Sequence, residues 1–155
     1  VAAALPRLLI ISAGSHGMAF TERVVPPNLL FAGMVSDRAK AKLLAAADVA
    51  LNPMRTGSGT NLKLIEYLAA GVPVVSTGFG VRGVDVDDGR HLLVADPDRF
   101  ADAVAASLAD PDAAATRAAR GRLIAAEGYG WPALGARFAE VVTAVIGDRA
   151  SRPHV

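Results

Sequence analysis

The residues best suited to chemistry lie between positions 56 and 66. Two glycines, Gly57 and Gly59, bracket Ser58, and Thr60 opens a helical pattern directly after an apolar run and a loop. A helix N-terminus carries unpaired backbone N–H groups and the positive end of the helix dipole. Glycine lets a phosphate approach such groups without a Cβ in the way. The stretch Thr56 to Thr60 therefore has the make-up of a diphosphate cradle, and Lys63, one turn in, adds positive charge. Glu66, a further turn on, is an acceptor-only carboxylate suited to two vicinal hydroxyls, such as those of a ribose. The same residues have a plainer reading. Ser58 or Thr60 caps the helix, and Lys63 and Glu66, three apart, form a surface pair worth about 0.2–0.5 kcal/mol. Composition and spacing alone favour that plainer reading.

The elements that must position these residues alternate in kind. Short apolar runs at Leu8 to Ser12, Leu29 to Ala32, Val49 to Leu51, Val72 to Ser76 and Leu92 to Val94 read as strands. Continuous apolar strands such as LLII and PVVS suit a sheet covered on both faces. Helices are expected from Asp37, as cap, through Ala47, with Ala41, Leu43, Leu44 and Ala47 for its buried stripe. Further helices are expected from Thr60 to Ala70, ended by Gly71 and Pro73, and from Asp96-Pro97 to Leu108. The alanine-rich remainder, Pro111 to Ile146, is helical with an interruption near Gly128-Tyr129-Gly130. Strands alternating with helices define an α/β class with a Rossmann-like parallel sheet flanked by helices.

The 155 residues fit one domain, here 1–147, with a flexible tail at 148–155. Hydrophobic residues make up 52% and charged residues 20%, enough apolar material for a buried core. A formal net charge of +1 supplies no general attraction to nucleic acid, so any anion site must be local. The absence of cysteine excludes disulfides and thiolate metal sites and fits a cytoplasmic location. No apolar run approaches the roughly 20 residues of a membrane span, and Pro6 and Arg7 interrupt the apolar start in a way unlike a signal peptide. SAGSHG, with Ser15 and His16 after the first strand, lacks the Gly-x-Gly-x-x-Gly order of a dinucleotide dehydrogenase. A lone histidine there reads as a solvated loop residue. His91 reads as structural, and Trp131 as an anchor of the final helix in the core.

The string GSGTNLKLIEYLAAGVPVVST, residues 57 to 77, resembles the donor-site signature of family 4 (group 1) glycosyltransferases, which have the two-domain GT-B architecture. FAGMV, AADVALNP, DDGRHLLVADP and YGWPALGARFAEVV resemble successive blocks of that family in the right order, from about Leu8 to Ile146. The resemblance implies the C-terminal, donor-binding half of the GT-B fold. In the family, two glutamates seven residues apart contact the donor. The second, which holds the nucleotide ribose, matches Glu66, while the first falls at Ser58, so that either a hydroxyl and backbone amides serve the sugar and phosphates or the activity is altered. The implied donor-binding set is Glu66, Gly57, Ser58, Gly59, Thr60, Asn61 and Lys63, with Arg55 as a substitute phosphate contact. Met34 and Val35 are added where the backbone meets the base. Met34 reads equally well as packing, and Arg55 as a solvated loop residue.

The family usually begins this domain with one more strand and helix, bearing an arginine and a lysine that bind the diphosphate. The resemblance implies that this first strand–helix unit and the N-terminal acceptor-binding domain are missing from the chain. Its expected reaction, for the full-length protein, is glycosyl transfer from a nucleoside-diphosphate sugar to a hydroxyl acceptor, with retention. Amides and positive charges would stabilise the departing diphosphate. No cluster of Asp, Glu or His suggests a metal, no cofactor beyond the donor substrate is implied, and no residue is assigned as catalytic. The expected partners are the nucleotide-sugar, the acceptor domain, and a second copy through an exposed sheet edge. The chain alone is expected to be inactive. Rival readings are a non-catalytic nucleotide- or phosphosugar-binding module, an assembly role, and a GT-B epimerase.

Overall fold

A computed structural model describes residues 1–15, 24–57 and 59–150, with side chains as far as residue 146. Ser58 and His16 lie outside the described residues. The strands are β1 (Ile10–Ala13), β2 (Leu29–Gly33), β3 (Ala50–Asn52), β4 (Val74–Ser76) and β5 (Leu93–Val94). The helices are α1 (Asp37–Ala46), α2 (Leu62–Ala70), α3 (Phe100–Ala109), α4 (Pro111–Tyr129) and α5 (Trp131–Ala150). All strand pairs are parallel, and they form two pieces, β2–β1 and β3–β4–β5. The α/β sequence pattern thus yields the expected parallel sheet with helical cover.

The two pieces differ in how they are covered. Every residue of β4 is buried, as a strand between two layers should be. By contrast β1 alternates, with Ile11 paired to Leu30 of β2 and both exposed, at 42% and 52%. Cover on both faces, expected for the run Leu8 to Ser12, therefore holds for β4 but not for β1. One cluster joins Leu64 and Leu68 of α2 to Val72, Val74, Val84, Leu92 and Ala125. Another joins Val75, Phe100 and Val104, with Leu5, Leu8, Val49 and Leu51 against it.

Helix α4 lies close over α2 because its buried stripe is small: Ala114, Ala118, Gly121 and Ala125. A Cβ at Gly121 would sit 2.7 Å from Leu68 Cδ2 and 3.1 Å from the His91 carbonyl oxygen. Helix α2 ends at Gly71 in the left-handed region, φ 70°, as its sequence predicts.

Several boundaries differ from expectation for local reasons. Ser36, not Asp37, caps α1, its Oγ accepting from Ala39 N at 3.2 Å. None of the α1 stripe is fully buried, and Ala41 is exposed. Helix α2 begins at Leu62 with Asn61, not Thr60, at the cap position. Pro97 sits second in a turn closed by Arg99 N to Asp96 O at 3.0 Å, a position proline favours, and α3 starts only at Phe100. Trp131 is 87% exposed and anchors nothing in the core. Helix α5 continues through Ala150, so residues 148–150 belong to a helix; 151–155 lie outside the described residues. Among the described residues no helix is long and apolar enough to cross a membrane.

Candidate functional site

Parallel sheets of this kind bind ligands beyond the carboxyl ends of their strands, where β3 and β4 bring together Asn52, Ser76 and Thr77. All three are buried. Asn52 Nδ2 donates to Ser76 Oγ at 2.9 Å and to the Gly80 carbonyl at 3.1 Å. Asn61 Nδ2 donates to Asn52 Oδ1 at 3.0 Å and to the same Gly80 carbonyl at 3.0 Å. The Thr77 hydroxyl donates to the Met54 carbonyl and accepts from Gly80 N at 3.1 Å. The network ties the ends of both strands to the start of α2 and to the loop after β4. Gly80 has no room for a side chain, since a Cβ would lie 2.5 Å from Asn52 Nδ2 and from Ser76 Oγ.

Asn61 is committed to this network and makes no side-chain cap bond to α2. Leu64 N donates to the Asn61 carbonyl at 3.1 Å, which leaves the Leu62 and Lys63 amides of the first turn to an outside acceptor. Ahead of them Gly57 and Gly59 hold φ of 141° and 73°, which L side chains rarely adopt. A hollow of about 270 Å³ opens here, lined by Met54, Gly59, Thr60, Asn61, Leu62, Lys63, Phe79 and Arg82. Arg82 Nη2 donates to the carbonyls of Gly57 at 3.0 Å and Gly59 at 3.4 Å. Its guanidinium carbon stands 4.2 Å from the centroid of the Phe79 ring. Neither Lys63 nor Arg82 has a carboxylate partner among the described residues. Two cations without a carboxylate partner and a helix N-terminus thus share one small hollow, in a chain whose net charge is only +1.

The structure therefore groups Gly59, Thr60, Asn61 and Lys63, with Gly57 held beside them by Arg82. Glu66 lies one turn further along α2 and does not pair with Lys63. Its Oε1 accepts from Lys40 Nζ of α1 at 2.9 Å, both side chains being partly exposed. The Glu66 hydrogen bond and charge raise the Lys40 pKa above its ordinary value. Burial, followed by the Glu66 charge, raises that of the neighbouring Tyr67. Met34 is 80% exposed, which removes its packing role, and Val35 leads into the α1 cap. Arg55 is exposed and does not line the hollow. His91 is structural: its Nδ1 accepts from Asp87 N at 2.9 Å and it is 6% exposed.

Sequence reasoning missed Arg82, Phe79, Asn52 and Lys40. The stretch GFGVRG directly after the fourth apolar run did carry a signal, a cation among glycines at the ligand-binding end of a strand. A larger hollow of about 780 Å³ lies at the opposite, amino-terminal end of the strands, among Asp48, Gly71, Pro73 and the alanines of α4. Arg122 also lines it, but it lies away from the glycine loop and the start of α2.

A parallel sheet whose carboxyl edge presents a glycine loop, a helix N-terminus and cations without a carboxylate partner is the nucleotide-binding type of α/β domain. The Glycosyl transferases group 1 family profile matches residues 1–110, and the chain belongs to that family. It is 34% identical over 137 residues to the GDP-mannose-dependent alpha-(1-6)-phosphatidylinositol monomannoside mannosyltransferase of Mycobacterium tuberculosis, covering 83% of this chain and 35% of the relative. It is 33% identical over 123 residues to a phosphatidyl-myo-inositol mannosyltransferase of Mycolicibacterium smegmatis, covering 77% and 32%. The chain therefore spans about a third of the length of these relatives. Among solved structures it is similar to the sucrose-phosphate synthase of Thermosynechococcus elongatus, with a TM-score of 0.77 at 22% identity over 94% of this chain and 40% of that one. It is also similar to Anabaena HepE in complex with UDP-glucose, with a TM-score of 0.73 at 18% identity over 90% and 42%. The fold is that of the C-terminal half of a GT-B glycosyltransferase.

Proposed function

We propose that this chain is the donor-binding part of a glycosyltransferase that moves a sugar from a nucleoside-diphosphate sugar to a hydroxyl acceptor. The carrying observation is the hollow at the start of α2, where first-turn amides, Lys63 and Arg82 converge. The diphosphate sits against the loop 56–60, and Glu66 takes the ribose diol with the lone pairs that Lys40 leaves open. Met34 and Val35 meet the base through their backbone. As the sugar departs, negative charge grows on the diphosphate, and the amides and cations already in place stabilise it without rearranging. Transfer proceeds with retention and without a metal.

GDP-mannose is the first donor to test, since the sequence relatives named above include one called GDP-mannose-dependent. A role in the cytoplasm belongs to the same proposal. In a doubly wound sheet of order 3-2-1-4-5-6, β2–β1 fill places 3 and 2, and β3–β4–β5 fill places 4, 5 and 6. The strand–helix unit with which the family usually begins this domain is proposed to contribute the strand between them, and the acceptor-binding part of the full-length protein to supply the acceptor site. Without that part the chain binds donor and transfers nothing. A second copy is the rival occupant, and sedimentation at increasing concentration separates the two.

Isothermal titration with GDP, UDP, dTDP, ADP and their sugars tests the donor site. Saturable binding of one diphosphate, weakened by Glu66→Ala, is the expected result. No heat at millimolar nucleotide, with Glu66→Ala unchanged, would sink the reading.

A further inference from the structure

We infer that Arg82 is a positioning residue of this site, a clamp that fixes the loop 56–60 for the diphosphate from outside it. The inference rests on the donor-site reading and adds to it a residue, on another element, that acts through the loop.

Three observations carry it. First, Arg82 bridges two carbonyls of the same loop, Gly57 O at 3.0 Å and Gly59 O at 3.4 Å. A trans peptide is planar with its C=O and the following N–H pointing in opposite directions. Holding the Gly59 carbonyl therefore also sets the direction of the Thr60 N–H, one of the donors at the mouth of α2. Gly57 and Gly59 hold positive φ and lack side chains of their own to fix these planes, so an external tie is needed.

Second, the guanidinium is itself held over the Phe79 ring, its central carbon 4.2 Å from the centroid, and that residue lines the same hollow. The loop after β4 is in turn pinned through Gly80 to Asn52, Asn61 and Thr77. Arg82 thus links the buried network to the carbonyls of Gly57 and Gly59. Third, carbonyl oxygens near a diphosphate repel it, and a cation bonded to both removes that repulsion. Both bonds leave from the one nitrogen, Nη2, and a lysine, though it carries the charge, lacks the planar face that holds that nitrogen in place over Phe79.

The test compares GDP and GMP, or UDP and UMP where uridine is the base bound, by titration calorimetry on the wild type and on Arg82→Gln, Arg82→Lys and Phe79→Leu. Loss of a charge-assisted contact set is expected to weaken diphosphate binding by about tenfold in Arg82→Gln. The monophosphate should change far less, so the diphosphate preference collapses. Arg82→Lys should resemble Arg82→Gln, because the geometry is lost even though the charge is kept. An Arg82→Lys protein that binds like wild type overturns the clamp in favour of bare charge, and an unaltered Arg82→Gln overturns it outright. Should the Arg82 variants fail to fold, Phe79→Leu decides: a reduced diphosphate preference supports the clamp, and an unchanged one refutes it. Should the wild type bind no nucleotide, the donor-site reading falls by itself. Hydrogen exchange at the Thr60 amide then tests the clamp, which predicts faster exchange in Arg82→Gln and is overturned by equal rates.

Discussion

Replacing Asn52 with alanine removes the hub of the network beneath the site, and its cost can be worked bond by bond. The side chain is 2% exposed and makes three hydrogen bonds, at 2.9, 3.1 and 3.0 Å. Each partner keeps another bond when Asn52 is truncated. Ser76 Oγ still donates to Thr77 O at 3.1 Å, and Gly80 O and Asn61 Nδ2 still hold each other at 3.0 Å. No buried group is wholly orphaned, so the loss should stay near the net value of three bonds, about 3 kcal/mol. For a domain of this size that corresponds to a fall in melting temperature of about 6–12 °C. Calorimetric or circular-dichroism melting of Asn52→Ala measures it. Asn52→Asp keeps the shape and the bond from Asn61 but presents an oxygen to the Gly80 carbonyl, and it buries a charge besides. It should be no more stable than the alanine variant. Melting of Asn52→Ala within 2 °C of wild type, or a wild-type-like Asn52→Asp, would show that the two loops are held by something else (both bounds set against the ~2–4 °C per kcal/mol expected at this size).

Two further outcomes follow from packing and titration. Gly121→Ala should lower stability by about 1–3 kcal/mol despite its better helix propensity, because the new Cβ meets Leu68 Cδ2 at 2.7 Å and His91 O at 3.1 Å. A raised urea midpoint would contradict the close approach of α4 to α2. Stability should also fall as pH rises past the ordinary tyrosine value of 10.0, since burial holds the Tyr67 proton in the folded chain after the unfolded one has lost it. Lys40 acts in the same direction: its contribution, present below the ordinary value of 10.5, is lost as pH climbs through its higher folded value. Tyr67→Phe should flatten the alkaline limb of a urea-unfolding profile, and an unaltered limb would refute the assignment.

The local sequence carried much of the fold. The runs at Leu29, Val49 and Val72 mark strands because parallel strands between helices are continuously apolar. Gly71 ends α2 because only a residue tolerating positive φ closes a helix that way. Where two local signals competed, the boundary moved. Ser36 and Asp37 are both good caps, and Pro97 suits a turn as well as a helix start. Trp131 shows the limit of composition, since a large ring is buried only if another element covers it, and α5 is exposed over nearly all of residues 131–146.

For the candidate site, the sequence by itself placed Gly57, Gly59, Asn61 and Lys63 together around the start of α2, with Glu66 one turn beyond. These residues are neighbours along one helix and its lead-in loop, so spacing alone brings them together. Only the tertiary structure decided their partners. Glu66 pairs with Lys40, 26 residues away, and the loop carbonyls with Arg82, 25 and 23 residues away. Such contacts depend on how α1 packs against α2 and on how the loop after β4 folds back over β3. The strand order of the sheet sets both arrangements, and no spacing within a single segment encodes it.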